Sequence, residues 1–181
     1  HQGGASDLRR GRKGLAETLA SLRGGFAARD RNASREPKLA DGAAFLRRTQ
    51  HTSSGSRDYR LYVPATHQPR GLILMLHGCK QNAEDFAIGT TMNDVAEAEG
   101  FLVAYPAQAQ SANPSSCWNW FRPEDQSRER GEPHILAEMT RAISAEYGIP
   151  TSRAFIAGLS AGGAMAAVMA NRGRITACDV N

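Results

Sequence analysis

The sequence contains few cysteines, and none of them is spaced to hold a metal ion. Only three occur in 181 residues, at Cys79, Cys117 and Cys178. Structural zinc sites commonly pair two cysteines a few residues apart, and no such pair exists here. We therefore expect no metal and no cofactor. Three cysteines also do not establish an oxidising compartment.

Long hydrophobic runs are missing as well. No apolar stretch approaches the roughly 18 residues that a transmembrane helix requires, so we expect no membrane span. The first residues also lack the apolar core of a secretory signal peptide. Residue 1 is His rather than Met, so the absence of a signal leaves the compartment undecided.

Positive charge is concentrated in the first third of the chain. Residues 1–60 hold 13 Lys and Arg against 6 Asp and Glu, whereas residues 61–181 hold 9 against 12. We assign residues 1–56 to a basic, partly helical or mobile leader and residues 57–181 to the folded domain. No recognition motif accompanies the basic run at residues 9–13, so we expect a solvated tail and no nucleic-acid partner.

Strand patterns and helix patterns alternate from residue 58 onward. Strands are predicted at residues 58–63, 72–76, 101–105 and 154–157, and helices at residues 85–100 and 135–147. The runs 72–76 and 101–105 are apolar throughout, as in parallel strands that are covered on both faces. The alternation predicts an α/β fold with a mostly parallel sheet, in which residues 58–63 form an outer strand.

The helix at residues 85–100 is predicted as one continuous element that Gly100 ends. Its apolar residues are spaced for a single buried face: Phe86, Ile88, Met92, Val95 and Ala96. A long polar loop with aromatic residues is predicted at residues 107–133. Loops of this length usually serve function.

Residues 158–162 read Gly-Leu-Ser-Ala-Gly and stand between a strand pattern and a helical run of small residues. Gly-x-Ser-x-Gly in that context is typical of a nucleophile elbow, a tight turn that presents a serine hydroxyl above the sheet. The free N–H groups of the following helix favour negative charge there. Ser160 is therefore our candidate nucleophile, with a chance glycine-rich turn as the alternative.

Acyl transfer needs two N–H donors for the oxyanion of its transition state. In sites built on this elbow, the residue after the nucleophile supplies one donor, here Ala161. The other comes from the loop after the third strand, where the Cys79 N–H is the candidate. His77 lies too early in the chain to be the catalytic base, and we expect it to brace this loop.

Residues 117–121 read Cys-Trp-Asn-Trp-Phe. Large aromatic side chains in a loop either cap the core or form a hydrophobic wall for an ester substrate, and the two interpretations are compatible. We take Trp118, Trp120 and Phe121 as substrate-binding candidates. A disulfide between Cys79 and Cys117 is our hypothesis. It would tie the aromatic loop to the oxyanion loop and leave Cys178 unpaired.

From about residue 58 to residue 170 the chain resembles the esterase/polyhydroxybutyrate (PHB) depolymerase family of α/β-hydrolases. The matching stretches are residues 59–64, 76–81, 101–106, 117–121, 130–133 and 158–163. The resemblance implies an α/β-hydrolase fold, with Ser160 as nucleophile and Cys79 and Ala161 as oxyanion hole. It implies carboxylic esters as substrates: 3-hydroxyalkanoate polyesters or oligomers, or feruloyl or acetylxylan esters on plant polysaccharide. It also implies an extracellular location, with the cytoplasm as the alternative.

The sequence departs from that family after Ser160. The catalytic order in this fold is Ser, then an acid, then His, yet all five histidines lie upstream of Ser160 and the one later acid is Asp179. We expect an α/β-hydrolase fold that is truncated after the elbow and its helix, poorly soluble and nearly inactive alone. The alternative is a non-catalytic fragment or interaction module that keeps the front half of the fold.

Overall fold

The structure is a computed structural model that describes residues 36–171, except 67 and 128, together with residues 176 and 177. The chain divides after residue 34, and residues 1–34 lie outside the described residues. The strands are β1 Ala44–Thr52, β2 Gly55–Val63, β3 Gly71–Leu76, β4 Phe101–Pro106, β5 Ala154–Gly158 and β6 Thr176–Ala177. The α-helices are α1 Ala83–Thr90, α2 Met92–Glu99, α3 Gly131–Glu146 and α4 Ala161–Ala170.

The six described strands form one sheet in the order β1-β2-β4-β3-β5-β6. β1 pairs antiparallel with β2, and β2 pairs antiparallel with β4. β3 pairs parallel with β4 and with β5, and β5 pairs parallel with β6. The expected α/β class with a mostly parallel sheet is thus confirmed, and the four predicted strands are all present.

Each face of the sheet has its own apolar core, because successive residues of a strand point to opposite faces. Leu72, Leu74 and Leu76 of β3 pack into the core that contains side chains of α3 and α4. Met75 of the same strand packs into the core that contains Phe86 of α1. Side chains on both faces of β3 therefore pack into apolar cores, which explains its uninterrupted apolar sequence.

Strand β1 lies within the segment that the sequence suggested as a leader. It pairs with β2 over its full length, from Ala44 opposite Val63 to Thr52 opposite Gly55. The sheet therefore begins before residue 57, and β1 rather than β2 forms this outer edge. The sequence did not predict this strand, because its residues are mostly polar and half-exposed, as in an edge strand that presents one face to water. The predicted leader residues 1–35 lie outside the described residues.

The continuous helix predicted at residues 85–100 is wrong, because two short helices occupy this segment. Thr91 separates α1 from α2 and has φ 50°, a left-handed conformation that a helix does not continue through. The prediction that these residues share one buried face is wrong too, since the side chains of Ile88 and Val95 are 37% and 50% exposed. The break changes the direction of the second helix, so one helical pattern cannot describe both.

Helix α3 begins at Gly131, four residues earlier than predicted, and the long loop before it contains a short 3₁₀ turn at Pro123–Gln126. None of the described helices combines the length and apolar character needed to cross a bilayer. An open apolar groove of about 620 Å³ lies on the sheet, between Ile73, Met75, Phe101 and Phe155 and the end of α1. The expectation of poor solubility stays a prediction.

Candidate active site

Ser160 stands in the turn that joins β5 to α4. Its backbone has φ 55° and ψ −119°, a combination that non-glycine residues seldom adopt, and the residue is exposed. The strand ends at Gly158 and the helix begins at Ala161. This strained strand–turn–helix geometry is what the Gly-x-Ser-x-Gly pattern predicts, and it presents the Ser160 residue to solvent.

Steric contact explains the first glycine of the turn. A Cβ atom on Gly158 would lie 2.4 Å from backbone atoms of Gly162, closer than any real contact. The loop after β3 also approaches the elbow, because a Cβ atom on Gly78 would lie 3.7 Å from the Ser160 Cβ. The candidate oxyanion loop therefore lies close to the candidate nucleophile.

Two backbone N–H groups are available beside Ser160. Ala161 is the first residue of α4, and an N–H in the first turn of a helix has no partner within the helix. On the other side, the N–H groups of Gly78 and Lys80 each have an acceptor at 2.8 Å. The intervening Cys79 N–H has no acceptor among the described residues. This arrangement can hydrogen-bond an oxyanion formed on a Ser160 adduct.

The imidazole of His77 is buried and both of its nitrogens are engaged. Nδ1 lies 2.7 Å from the Gly78 carbonyl oxygen, so this nitrogen carries the proton and donates it. Nε2 accepts the Gln108 N–H at 3.0 Å. Burial lowers the pKa of His77 below its usual value. His77 is therefore a neutral brace of the loop, as expected, and has no free nitrogen with which to act as base.

The aromatic loop separates into one core residue and two surface residues. Trp118 is fully buried and its Nε1–H donates to the His77 carbonyl oxygen at 3.1 Å. Its assignment as a substrate-binding residue is therefore corrected: Trp118 anchors the loop. Trp120 and Phe121 are 41% and 54% exposed, with ring centroids 5.9 Å apart in an edge-to-face arrangement. Only these two are accessible to a substrate.

Cys79 and Cys117 form a disulfide with their Cα atoms 4.3 Å apart. The bond joins the residue that carries the candidate oxyanion N–H to the residue before Trp118. The oxyanion loop and the aromatic loop are thus linked covalently. Cys178 lies outside the described residues.

The family model described as Esterase PHB depolymerase matches residues 57–180. The chain belongs to this family. It is 36% identical over 120 residues to Poly(3-hydroxyalkanoate) depolymerase C of Paucimonas lemoignei, which covers 66% of this chain and 29% of that protein. It is 30% identical over 131 residues to Feruloyl esterase B of Neurospora crassa, which covers 70% of this chain and 44% of that protein. The chain spans less than half the length of these relatives.

Solved structures place this family member in a known fold. The acetyl xylan esterase from Aspergillus awamori superposes with a TM-score of 0.60 at 23% identity, over 70% of this chain and 46% of that one. A ferulic acid esterase superposes with a TM-score of 0.58 at 18% identity, over 75% of this chain and 58% of that one. These similarities confirm the α/β-hydrolase fold, of which the chain covers part.

Beyond His77, two histidines lie in the described part of this PHB depolymerase family member, and neither contacts Ser160. His51 is on β1, with three strands between it and β5. The Nδ1 atom of His134 lies 2.9 Å from the Ser54 hydroxyl, and its Nε2 atom lies 3.5 Å from a Glu138 carboxylate oxygen. The described residues therefore bring together a candidate nucleophile and candidate oxyanion donors, with no histidine beside Ser160.

A buried polar network behind the aromatic loop was missed from the sequence. Its members are Arg57, Gln108, Asn119, Asp125 and Glu132, all less than 10% exposed. The only signal was that residues 130–133 belong to one of the stretches that resemble the family, and no role could be assigned to them. The partners come from separate chain segments, so only the folded structure reveals the network.

Proposed function

We propose that this chain carries the nucleophile and the oxyanion hole of a serine carboxylic-ester hydrolase. One observation carries the proposal. The strained Ser160 elbow lies close to the loop after β3, and the N–H groups of Cys79 in that loop and of Ala161 after Ser160 have no acceptor within the described protein. Membership of the Esterase PHB depolymerase family supports the same reaction.

In the proposed reaction the Ser160 Oγ attacks the ester carbonyl carbon. The carbonyl oxygen becomes an oxyanion that accepts hydrogen bonds from the Cys79 and Ala161 N–H groups. Collapse of this intermediate releases the alcohol and leaves an acyl group on Ser160, which water then removes. Each half of the reaction requires a group that accepts and returns a proton.

Among the described residues no histidine reaches Ser160, and this limits what they do by themselves. Without a base the Ser160 hydroxyl keeps its proton at neutral pH and is a weak nucleophile. An oxyanion hole and substrate binding alone leave about 1000-fold catalysis over water. We propose that the 181-residue chain is nearly inactive, and that its activity rises when a base is supplied.

The proposed substrates are esters with an apolar part. Leu159, beside the nucleophile, is 54% exposed, and Trp120 and Phe121 add exposed aromatic surface on the loop that the disulfide ties to Cys79. The name of the P. lemoignei relative favours 3-hydroxyalkanoate polyesters or oligomers, and feruloyl or acetylxylan esters are the second candidates. The disulfide supports an extracellular location, where such bonds persist.

The proposal is tested with p-nitrophenyl butyrate, with added imidazole as an external base. We expect slow hydrolysis by the 181-residue chain that increases with imidazole concentration. The Ser160→Ala variant should keep at most the slow residual reaction and should show no increase with imidazole beyond the one that imidazole causes without protein. Equal rates for both proteins at every imidazole concentration would contradict a catalytic Ser160 and would favour a non-catalytic module.

A further inference from the structure

Glu132 lies at the centre of the buried polar network, at the start of α3. The residue is 3% exposed. Its Oε1 atom accepts hydrogen bonds from Arg57 Nη2 at 3.1 Å, from Asn119 Nδ2 at 2.9 Å and from Gln108 Nε2. Its Oε2 atom accepts the backbone N–H of Asn119 at 2.8 Å. One carboxylate therefore holds four N–H donors.

These donors belong to three segments that are far apart along the chain. Arg57 is in β2, Gln108 begins the loop after β4, and Asn119 lies inside the aromatic loop. A carboxylate without partners is strongly disfavoured in a protein interior, so Glu132 requires all of these donors close around it. The requirement fixes the position of the aromatic loop relative to the sheet.

Gln108 extends the network to the candidate oxyanion hole. Its side-chain Nε2 also donates to the Cys117 carbonyl oxygen at 2.9 Å, and its backbone N–H donates to His77 Nε2 at 3.0 Å. Cys117 is bonded through its sulfur to Cys79. Gln108 therefore holds both sides of the Cys79 loop, the side at His77 and the side at the disulfide, and Gln108 is itself bonded to Glu132.

We propose that Glu132 is a positioning residue for the oxyanion hole. It holds the aromatic loop at Asn119, and it holds Gln108, which hydrogen-bonds Cys117 and His77; these contacts fix the Cys79 N–H beside Ser160. This inference rests on the proposed function, since it assumes that the Cys79 N–H stabilises the oxyanion. It assigns to Glu132 no contact with the substrate.

The change Glu132→Gln tests this role with almost no change in volume. The amide oxygen can still accept from the three donors at the Oε1 position. The amide nitrogen must then face the Asn119 backbone N–H, which places two donors against each other. The substitution therefore breaks the hydrogen bond to the Asn119 backbone and weakens the hold on the aromatic loop, while partners remain for Arg57, Gln108 and the Asn119 side chain.

Two measurements follow the variant. The first is the rate at which dithiothreitol reduces the disulfide between Cys79 and Cys117, followed by alkylation and mass spectrometry. We expect reduction to become about tenfold faster, because the loop opens more often. The second is the imidazole-supported, Ser160-dependent hydrolysis of p-nitrophenyl acetate. We expect kcat, expressed per folded molecule from the urea unfolding of each variant, to fall about tenfold while KM changes less than twofold. Expressing kcat in this way removes the loss of active enzyme that general destabilisation causes.

Glu138→Gln is the matched control, because Glu138 is on the same helix but is more exposed and pairs with Arg141 and His134 of that helix. Both measurements should stay within twofold of the unchanged protein. If Glu132→Gln does not fold, Gln108→Met removes the side-chain bonds to Cys117 and Glu132 with little change in volume, and the same two effects are expected.

Unchanged reduction rate and unchanged kcat in a folded variant would overturn the positioning role. A parallel rise in KM with constant kcat would also overturn it, since this would indicate a role in substrate binding. Failure of the proposed function is distinguished separately: Ser160→Ala would then hydrolyse as fast as the unchanged chain, while the disulfide measurement would still respond to Glu132→Gln.

Discussion

A Cβ atom on Gly162 would lie 2.2 Å from the carbonyl oxygen of Leu76. Leu76 is the last residue of β3 and Gly162 is the second residue of α4, so the helix and the strand touch through their backbones. The Leu159 N–H donates to the same carbonyl oxygen at 3.0 Å. This close approach holds the elbow against the strand that leads into the oxyanion loop.

Gly162→Ala should therefore destabilise the protein strongly. The new methyl group meets backbone atoms, which cannot rotate away, so we expect a loss of about 3 kcal/mol in the free energy of unfolding, measured with urea. Gly89→Ala is the control, because a Cβ atom there meets nothing within 4 Å and the residue is in α1. It should stabilise by about 0.5–1 kcal/mol. Equal stability of the two variants would contradict the close packing.

Ser160→Gly should stabilise the fold while it removes the nucleophile. The backbone of Ser160 has φ 55°, which glycine adopts without strain, so we expect a gain of about 1 kcal/mol in urea unfolding. Ser160→Ala keeps the Cβ atom and should leave the stability nearly unchanged. A Ser160→Gly variant that is less stable than Ser160→Ala would show that the elbow is not strained.

Replacing each tryptophan of the aromatic loop should give opposite results. Trp118→Ala removes a fully buried side chain and its hydrogen bond to His77, with an expected loss of about 3–5 kcal/mol in unfolding free energy. Trp120→Ala should change stability by about 0.5 kcal/mol or less, since the side chain is 41% exposed. Its effect should instead be a higher KM for p-nitrophenyl butyrate in the presence of imidazole. A severe loss of stability in Trp120→Ala would contradict the assignment of Trp118 to the core and of Trp120 to the surface.

His77 should make the stability depend on pH. Burial lowers its pKa below the ordinary 6.5, so the unfolded state binds more protons at pH values between the two pKa values. Stability is therefore complete above about pH 6.5 and falls as the pH drops below it, by up to about 1.4 kcal/mol per pH unit. Urea unfolding from pH 7.5 to pH 5 measures this slope.

The variant His77→Gln lacks the ionisable ring, and its stability should fall less steeply over the same pH range. His51→Gln, at an exposed position of β1, is the control and should keep the steeper slope. If stability fell equally steeply with pH in all three proteins, His77 would be excluded as the cause of the pH dependence.

The ion pair between Arg48 and Glu146 should anchor β1 to α3. Arg48 donates to both carboxylate oxygens, at 2.5 and 2.9 Å, and lowers the pKa of Glu146. Its contribution is therefore present above the ordinary carboxyl pKa and is lost as the pH falls through the lowered value. Glu146 is 47% exposed, so solvent screening limits the coupling energy to about 0.5–1 kcal/mol.

A double-mutant cycle with Arg48→Met and Glu146→Gln measures this coupling energy at pH 7 and at pH 2. We expect it to vanish at pH 2 and to shrink at high salt. The pair Arg70 and Glu99, 3.6 Å apart and more than 60% exposed on both sides, is the control and should show almost no coupling. An Arg48 coupling that persists at pH 2 would rule out an ionic origin.

Elements with strong local patterns were predictable from the sequence. The apolar strands β3 and β4, the strand into the elbow and most of α3 follow from their own residues. The break at Thr91 was not predictable, because threonine rarely adopts a positive φ and the helical pattern runs through it. Strand β1 was missed because its sequence is polar and its stability comes from pairing with β2.

The sequence alone determined the family, through the several stretches that resemble it, and the elbow, because small residues at fixed distances from Ser160 permit the turn. Tertiary structure alone decided which aromatic residues are buried and that Glu132 holds the loop around them. Trp118 and Trp120 are two residues apart and chemically identical, yet only one is enclosed. Burial depends on contacts between distant segments, and such contacts leave no local pattern in the sequence.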